Sequence, residues 1–591
     1  MMVVGGSFLT TPIGTEEIFI RENFTEDQSD IESAVKEFML DNLKPKKDQI
    51  EKLDIPLTVE LIREFSELGF GSVDIEEEYG GMELDKISSM IITETIAYGQ
   101  SASWGISFGA HVGIGTLPIA IFGNKEQKAK YLPSLASAEK IGAYCLTEPS
   151  SGSDALAAKT TAVRSEDGKH YILNGTKQFI TNGGFADIFI VFAKIDGEHF
   201  TGFIVEREFD GVSHGAEEHK MGLKGSSTTT LNLDNVHVPV ENMLWKEGKG
   251  HQIAFNILNI GRIKLGIGGL GGSKVMINES LAYAKDRKQF GESLTRFDMI
   301  QSKFADMVVR TYGLDSMAYN TVGKVQANIE RIDKDREDYQ VKEVQSIEDY
   351  AIEASMLKVY GSESYGFCAD TGIQILGGYG FTEEYPIAQA YRDTRIDRIF
   401  EGTNEINRQV IAGYYLKNTL MEKLMVREYM KAINNGLKNG MFPEVDCDLL
   451  GEEKSTLELL KMLAMVVFNE SIATFGQGLK NEQMLLEDLS NIFTDLYVLE
   501  SALQRVTQKW EDKLGYRPVE KTIARVLTIE TSERVQSWAK RAIFGATPKT
   551  ELPKLLEKYK TVQSKLQLLD DVYQLKREIA EDLFEHGSYP F

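Results

Sequence analysis

The feature that most constrains the fold is a change in hydrophobic period near residue 143. Before it, residues 25–140 carry apolar side chains at helical spacing, for example on the face formed by Leu61, Ile62, Phe65 and Leu68. From 143 to about 245, apolar residues come in short or alternating runs that are typical of strands. Helical spacing resumes at Ile253 and lasts to about Leu416. The order of segments therefore excludes both a purely helical and a purely β protein.

The chain is 591 residues long, and single hydrophobic cores stop growing near ~250 to 300 residues. We therefore expect four domains of fold class α+β. They are an N-terminal helical domain (1–142), a middle β domain (143–248), a helical bundle (249–418) and an additional helical domain (419–591). The last domain contains an amphipathic helix with Leu485, Leu489, Ile492, Leu496, Leu499 and Leu503 on one face.

Charge and cysteine content disfavour several functions. The net charge of −24 disfavours nucleic acid as a partner, because that binding needs clustered Lys and Arg. Cys145, Cys368 and Cys447 have neither paired spacing nor histidine neighbours, so we expect no metal site and no disulfide framework. No basic residue precedes the short apolar stretch at the N-terminus, and no run of ~18 uncharged apolar residues occurs. We expect a cytoplasmic protein without a transmembrane helix.

Two segments of the β domain have the composition of ligand-binding loops. The first, Tyr144 to Asp154, is rich in glycine and hydroxyl residues, which let the backbone approach a polar ring or a phosphate. The second, Phe179 to Gly184, places an aromatic ring and the Thr181 hydroxyl on one face of a strand. A flat cofactor would stack there. A structural turn and a core Phe followed by an Asn-Gly turn are the alternatives, and either segment alone leaves both interpretations open.

A third segment, Gln374 to Arg408, contains one conspicuous carboxylate. Glu401 follows the apolar pair Ile399-Phe400 and precedes Gly402-Thr403. Removal from water would raise the pKa of Glu401 toward the range of a general base, and the glycine after it leaves room for a substrate. A solvent-exposed Glu at a helix end is the alternative.

In this order and spacing, the three segments resemble the acyl-CoA dehydrogenase family. Four further segments resemble its very-long-chain subgroup; they lie at 24–28, 185–189, 257–262 and 481–486. The resemblance implies that family's fold, with an N-terminal helical bundle, a middle β domain and a C-terminal four-helix bundle, plus an extra C-terminal helical domain. One signature position departs, because Gln389 stands where the family usually has Lys or Arg. We expect Gln389 to affect only a surface charge contact, away from the cofactor and the base.

The resemblance implies FAD-dependent α,β-dehydrogenation of long-chain acyl-CoA to trans-2-enoyl-CoA in fatty-acid β-oxidation. It assigns the general base to Glu401, which removes the α-proton while the flavin accepts the β-hydride. Some relatives carry the base at the position of Gly261, so here the assignment falls to Glu401 alone. An electron-transferring flavoprotein is the implied electron acceptor. An acyl-CoA oxidase and a non-catalytic assembly protein on the same fold stay open as alternatives.

The resemblance also assigns residues to the cofactor and the substrate. The flavin ring is assigned to Tyr144, Leu146, Thr147, Ser153, Phe179, Ile180 and Thr181. The rest of FAD, partly from a neighbouring subunit, is assigned to Arg287, Phe290, Gln374, Gly377, Gly378, Thr403 and Glu405. The acyl-CoA is assigned to Ser153, Asn259, Arg262 and Gly402. Because the FAD site would span two subunits, the resemblance implies a homo-oligomer, with a dimer as the expected form.

Three further patterns have two interpretations each. The stretch 266–271 fits the G-x-G-x-x-G dinucleotide fingerprint, but no strand precedes it, so close helix packing is favoured. The apolar run Leu459 to Phe468 would be ~15 Å long as a helix, too short for a membrane. A buried bundle helix is favoured there over a peripheral membrane contact. Gly105, Gly109 and Gly113 either open a tunnel for a long acyl chain or let helices pack closely.

Overall fold

A computed structural model of the protein describes residues 5–334, 336, 339–445, 447, 449–566 and 570–591. The first domain is built from short helices. They are α1 (Glu26–Phe38), α2 (Lys47–Ile50), α3 (Ile55–Glu67), α4 (Lys86–Thr95), α5 (Ala102–Gly109), α6 (Leu117–Phe122) and α7 (Lys125–Ala136). A 3-10 turn, Ile96–Gly99, follows α4, and a π-helical stretch, Ala110–Thr116, joins α5 to α6. The side chains of Thr25, Asp54 and Asp85 start α1, α3 and α4 by accepting a backbone N–H three residues later.

The middle domain is a mostly antiparallel sheet of eight strands within the described residues. The strands are β1 (Gly142–Cys145), β2 (Thr161–Arg164), β3 (His170–Thr181), β4 (Ile188–Ile195), β5 (His199–Glu206), β6 (Val212–His214), β7 (Thr228–Pro239) and β8 (Met243–Leu244). Their order is β6-β7-β3-β2-β4-β5-β8, and β1 pairs with β4 in parallel. The sheet therefore occupies residues 142–244.

Both faces of β4 are buried, which explains its uninterrupted apolar run. Phe189 and Val191 join a core with the helices α1, α3 and α5, whereas Ile190 and Phe192 join a core with α8. A strand covered on both sides has no polar face and loses the alternation of a half-buried strand. The sheet is thus held between the first domain and the helical bundle.

The third domain is a bundle of long helices. Its elements are α8 (Gly250–Asp286), β9 (Lys288–Gln289), β10 (Glu292–Ser293), α9 (Asp298–Glu330), α10 (Tyr339–Asp349), α11 (Ala351–Leu376), α12 (Gly378–Phe381), α13 (Pro386–Asp393) and α14 (Asn404–Leu420). Helices α8, α9, α11 and α14 pack around one core. Together with the sheet and the extra C-terminal domain, this bundle confirms the predicted fold class.

Glycines let α8 approach its neighbours closely. A Cβ on Gly266 would lie 2.6 Å from the Leu357 carbonyl oxygen, and one on Gly271 would lie 2.2 Å from the Glu94 carbonyl oxygen. The whole stretch 266–271 is inside α8, without the strand and turn that a dinucleotide site requires. Close helix packing, the favoured interpretation of this fingerprint, is confirmed.

The fourth domain consists of α15 (Val426–Asn439), α16 (Gly451–Phe475), α17 (Gln483–Glu511), α18 (Pro518–Ala546), α19 (Leu552–Gln563) and α20 (Val572–His586). Helix α17 carries the predicted leucine face, whose members are buried. The run Leu459 to Phe468 is a buried part of α16, packed against α17 and α18. It is therefore a bundle helix, and a membrane contact through this run is not supported.

Two helical stretches, Ala102–Phe122 and Gly451–Asn481, are long and apolar enough to cross a membrane by length and composition alone. Most of the apolar window is buried inside the protein in each case, 72% and 61% respectively. Core helices of soluble proteins pass the same test. The finding is therefore weak evidence for a membrane span.

The N-terminal segment 5–24 lies across the bundle and the fourth domain, although the sequence pattern placed it with the first helical domain. The ring of Phe8 packs against the ring of Tyr497 of α17 in a tilted arrangement, with 4.9 Å between ring centroids. Glu22 accepts two hydrogen bonds from the buried Arg505 of α17. Arg21 forms ion pairs with Glu94 of α4 and Asp315 of α9. The segment therefore ties the first, third and fourth domains together.

Candidate active site

An apolar cavity lies where α4, α5, α8 and α13 meet. One face of α8 lines it through Gly261, Lys264, Leu265, Gly268, Gly269, Gly272, Val275 and Met276. From Gly261 to Met276 this face measures ~22 Å, at 1.5 Å per helical residue. Phe400 and Glu401 line the cavity from the loop before α14. The cavity is therefore elongated along α8, and the Glu401 loop lies at the Gly261 end of that helix face.

The glycines of α5 and the following π-helical stretch face this cavity. Gly105, Gly109 and Gly113 all line it. A Cβ on Gly109 would meet no atom within 4 Å, and one on Gly113 would first meet the Cδ of Lys264 at 3.6 Å. Because these two glycines border open space, the structure favours the tunnel interpretation over close helix packing.

Glu401 occupies the cavity in an unusual backbone conformation. Its φ is +56° and that of Gly402 is +80°, so two consecutive residues adopt the left-handed region. The Oε2 atom of Glu401 is buried and has no hydrogen-bond partner among the described residues. A Cβ on Gly261 would lie 2.8 Å from this atom and 3.1 Å from the Cδ of Glu401. Glycine at 261 thus makes room for the carboxylate that the sequence singled out.

The cavity shifts the ionisation of its carboxyl groups. Burial raises the pKa of Glu401 from 4.5 to about 7, against the opposing positive charges of Arg262 and Lys358. Burial also raises the pKa of Asp397 to about 7 and that of Asp393 to about 6. A carboxylate with a pKa near neutrality and no hydrogen bond to Oε2 is suited to accept a proton from a bound ligand.

The backbone of the Glu401 loop is held from three sides. Arg262 Nε donates to the carbonyl of Glu401 at 3.2 Å, and Lys358 Nζ donates to the carbonyl of Gly402 at 2.8 Å. Asn407 Nδ2 also donates to the Gly402 carbonyl at 2.8 Å. The Thr403 hydroxyl accepts from the Ile406 N–H and caps α14. These bonds fix the strained conformation that aims the carboxylate into the cavity.

Lys358 and Asn407 were not predicted from the sequence. Lys358 comes from α11, outside the three segments, and Asn407 lies inside the third segment but was not singled out there. The one available indication was that Lys358 is a single cation within the apolar run 356–360 of a buried helix. A lysine in such a place needs a partner, but the sequence does not say which one.

The loop after β1 is braced by a buried ion pair that the sequence also did not reveal. Lys177 Nζ lies 2.7 Å from Glu148 Oε1, with both side chains almost fully buried. The Glu148 carboxylate also accepts from the N–H groups of Lys159 and Thr160 at 2.6 and 3.1 Å. The Gln178 N–H donates to the Thr147 carbonyl at 2.9 Å. The loop is therefore fastened to β3 beside Leu146 and Thr147.

Phe179 is displayed by a bulge in β3. The pairing of β3 with β7 shifts between Lys177 and Ile180, and the φ of Phe179 is +57°. Because a bulge inserts an extra residue, it turns the ring away from the buried face that Lys177 and Ile180 share. The side chain is 62% exposed, and Thr181 lines the cavity. The expected strand is present, and its bulge explains why the ring is exposed.

The expectation for Gln389 was wrong. Its side chain is half-buried and lines the same cavity as Glu401. Gln389 Nε2 donates to Asp393 Oδ2 at 3.3 Å, and Asp393 Oδ1 accepts from the Leu223 N–H at 2.6 Å. The expectation was wrong because α13 turns this position toward α5 and α8. The neighbouring sequence does not indicate that orientation. Gln389 is part of the cavity wall.

The remaining positions assigned by resemblance divide into two groups. Tyr144 and Leu146 are buried at the end of β1, Ser153 is exposed, and Asn259 accepts from Arg262 at 3.0 Å. A second group forms an exposed face outside the cavity lining, with Arg287 stacked on Tyr379 at 5.6 Å and Phe290 96% exposed. This second group consists of Arg287, Phe290, Gln374, Gly377 and Gly378. Glu405 is exposed at the start of α14.

Comparison with known proteins identifies the family. Profiles for the acyl-CoA dehydrogenase N-terminal, middle and C-terminal domains match residues 25–139, 143–236 and 248–416, and a further C-terminal domain profile matches 459–558. A probable acyl-CoA dehydrogenase of Bacillus subtilis (strain 168) is 42% identical over 99% of this chain and 98% of its own length. The chain belongs to the acyl-CoA dehydrogenase family. It is therefore an oxidoreductase, and the resemblance stated from the sequence is confirmed.

Two other relatives are informative. The mitochondrial very long-chain specific acyl-CoA dehydrogenase of Macaca fascicularis is 36% identical over 85% of this chain and 79% of its own length. The crystal structure of an acyl-CoA dehydrogenase complexed with FAD from Bacillus anthracis is 41% identical, with a TM-score of 0.95 over the full length of both chains. The extra C-terminal domain is thus shared with full-length relatives.

FAD is the cofactor of this family, and residues at and next to the cavity fit a flavin. The exposed ring of Phe179 offers a stacking surface. Thr181 lines the same cavity as Glu401, and the Leu146–Thr147 segment is rigidly held by the Lys177–Glu148 pair. These residues of one chain would hold the ring system. FAD as the cofactor, which the resemblance implied, is confirmed.

Proposed function

We propose that the protein catalyses the α,β-dehydrogenation of long-chain acyl-CoA to trans-2-enoyl-CoA, with Glu401 as the general base. The observation that carries the proposal is the Oε2 atom of Glu401, buried and unpartnered among the described residues, in an apolar cavity. A substrate would supply the missing partner. The ~22 Å face of α8 along the cavity supports a long acyl chain over a short one.

The residues around Glu401 would perform the proton transfer. The α-proton of a thioester passes to Oε2, and the pKa of about 7 leaves a substantial fraction of Glu401 ionised at neutral pH. The N–H of Glu401 donates to no group within the described residues, so it is free to stabilise the developing charge on the thioester oxygen. FAD, when bound, supplies the acceptor for the β-hydride.

The test is Glu401→Gln, which keeps the shape of the side chain and removes the base. The variant is expected to retain FAD but to fail to bleach it with palmitoyl-CoA under anaerobic conditions. Glu422→Gln is the matched control, because Glu422 is exposed and has the same φ of +56° as Glu401, and it should bleach at the wild-type rate. Bleaching of Glu401→Gln at the wild-type rate would remove Glu401 from this role. A wild-type protein that binds FAD but is never bleached would favour the assembly-protein alternative.

We propose an electron-transferring flavoprotein as the electron acceptor. The support is family membership, since relatives across the full chain carry the dehydrogenase name. Substrate-reduced enzyme should pass its electrons to that flavoprotein and react slowly with oxygen. Rapid turnover with oxygen and release of peroxide would favour the oxidase alternative.

We also propose that a second copy of the chain completes the FAD site. Arg287 and Phe290 lie on the exposed face outside the cavity lining, and an almost fully exposed Phe is costly to leave in water. Phe290→Asp is expected to yield monomers that lose FAD, as measured by sedimentation and flavin absorbance. A Phe290→Asp protein that sediments like the wild type and keeps its FAD would contradict the proposal.

A further inference from the structure

The elongated cavity has a polar residue at the end away from Glu401. Gln100 lines the cavity immediately after the 3-10 turn Ile96–Gly99. Its Nε2 atom donates to Oε1 of Glu279 at 2.6 Å. On α8, Glu279 follows the cavity-lining Val275 and Met276 by one helical turn. Gln100 is therefore joined to the part of α8 at which the cavity lining ends.

The other side of this hydrogen bond faces solvent. Glu279 is 32% exposed and lies 3.9 Å from Nζ of Lys44, which is 38% exposed. Gln100 itself is half-buried. The Gln100–Glu279 pair thus stands between the apolar cavity on one side and water on the other.

We propose that the Gln100–Glu279 pair is the end wall of the acyl tunnel and sets the longest acyl chain that the enzyme accepts. This inference rests on the proposed function and names a determinant of its substrate range. The pair is a specificity-determining element, because it lies far from Glu401 and touches no reacting atom.

The length of α8 relates the wall to a chain length. Gly261, beside the Glu401 carboxylate, and Glu279 are 18 residues apart, which is ~27 Å along the helix. A fully extended peptide spans ~3.6 Å per residue, over three backbone bonds. A fully extended chain therefore advances ~1.2 Å per bond. The tunnel therefore accommodates on the order of 20 carbon–carbon bonds beyond the reacting carbons.

The wall is held rigidly in place. A Cβ on Gly99 would lie 2.3 Å from Leu43 Cδ2, so the turn is closely packed against Leu43 of the same domain. A longer chain would have to separate the Gln100 amide from Glu279 and leave both polar groups beside an alkyl chain. Burying unpaired polar groups is unfavourable, so acceptance should end at the wall.

Gln100→Gly tests the wall without straining the fold. The φ of Gln100 is +53°, a value that glycine adopts more easily than glutamine. The variant opens the tunnel end, and the removed side chain spans about four bonds. In a series of saturated acyl-CoA from C12 to C26, the chain length at which kcat/KM falls should move up by about four carbons. The kcat/KM for C12 acyl-CoA should stay within about twofold of the wild-type value, because this chain ends before the changed part of the tunnel. A methylene newly buried in that part contributes about fourfold to kcat/KM.

Three further variants separate the wall from a general effect. Glu279→Gln keeps an acceptor for the Gln100 amide and should keep the wild-type limit, whereas Glu279→Ala releases Gln100 and should raise the limit. Lys513→Gly is the matched backbone control, because Lys513 is exposed and also has a positive φ of 59°. It should leave the limit unchanged.

The outcomes distinguish this inference from the proposed function. A wild-type enzyme that dehydrogenates no acyl-CoA overturns both. A wild-type enzyme that dehydrogenates acyl-CoA, with the same chain-length limit in Gln100→Gly and Glu279→Ala, overturns the end wall alone. If Gln100→Gly or Glu279→Ala does not fold, the chain-length limit measured for the other variant decides whether the end wall exists.

Discussion

Oε2 of Glu401 lies 2.8 Å from the position that a Cβ on Gly261 would take. These residues come from different elements, α8 and the loop before α14, and are 140 positions apart in the sequence. The carboxylate therefore occupies space that only glycine leaves free. Whatever side chain stands at 261 controls where the carboxylate of Glu401 points.

Gly261→Ala should accordingly impair the proton transfer while leaving FAD bound. The new methyl group would displace the carboxylate, and misplacement by about 1 Å costs about 100-fold in rate. Anaerobic bleaching by palmitoyl-CoA measures the loss. Gly545→Ala is the control, because Gly545 is an exposed glycine of α18 on which a Cβ would meet no atom within 4 Å. Equal bleaching rates in Gly261→Ala and the wild type would mean that the carboxylate is not confined.

The pH dependence follows from the pKa of Glu401. A general base works only when ionised, so kcat/KM should rise roughly tenfold per pH unit below about 7 and level off above it. Burial favours the neutral form of the Glu401 carboxyl, which therefore stabilises the folded protein at low pH. This stabilisation is lost as the pH rises through about 7. Glu401→Gln should therefore gain thermal stability relative to the wild type above pH 7. A bleaching rate that is flat from pH 5 to 9 would contradict the assignment.

The candidate base and the candidate flavin loops could be proposed from motifs because each is carried by contiguous residues. Glu401, Thr147 and Phe179 stand in short segments that left structural alternatives open one by one, and the joint order and spacing of these segments carry the resemblance to the family. Lys358 and Gln389 could not be placed this way, because their roles depend on how α11 and α13 turn toward other helices. The helical and β segments were predictable from hydrophobic period alone. The bulge at Phe179 could not be predicted, because one inserted residue changes the strand face on which a side chain lies without changing the composition.

The buried pair Lys177–Glu148 should be essential for the loop after β1. Lys177→Met leaves the Glu148 carboxylate buried without its cation, which typically costs about 3–5 kcal/mol. We expect a lower unfolding temperature and weaker FAD retention, measured by thermal unfolding and by flavin absorbance after gel filtration. Lys130→Met is the control, because Lys130 pairs with Glu206 while 54% exposed, and such pairs contribute about 1 kcal/mol or less. Similar losses in both variants would show that the burial of Lys177 is unimportant.

Gly109→Leu should disfavour long acyl chains, because the new side chain would fill the middle of the tunnel. A side chain at 109 would enter the cavity without meeting an atom within 4 Å of its Cβ, so the fold should persist while the tunnel is filled. Each displaced methylene of a long substrate loses about 0.8 kcal/mol of burial, so kcat/KM for C16 acyl-CoA should fall far more than that for C6. Gly115 gives the contrast, because a Cβ there would lie 2.7 Å from the Gly142 carbonyl carbon. Gly115→Leu should therefore destabilise the protein without reordering its chain-length preference. A parallel fall for C6 and C16 in Gly109→Leu would place the acyl chain elsewhere.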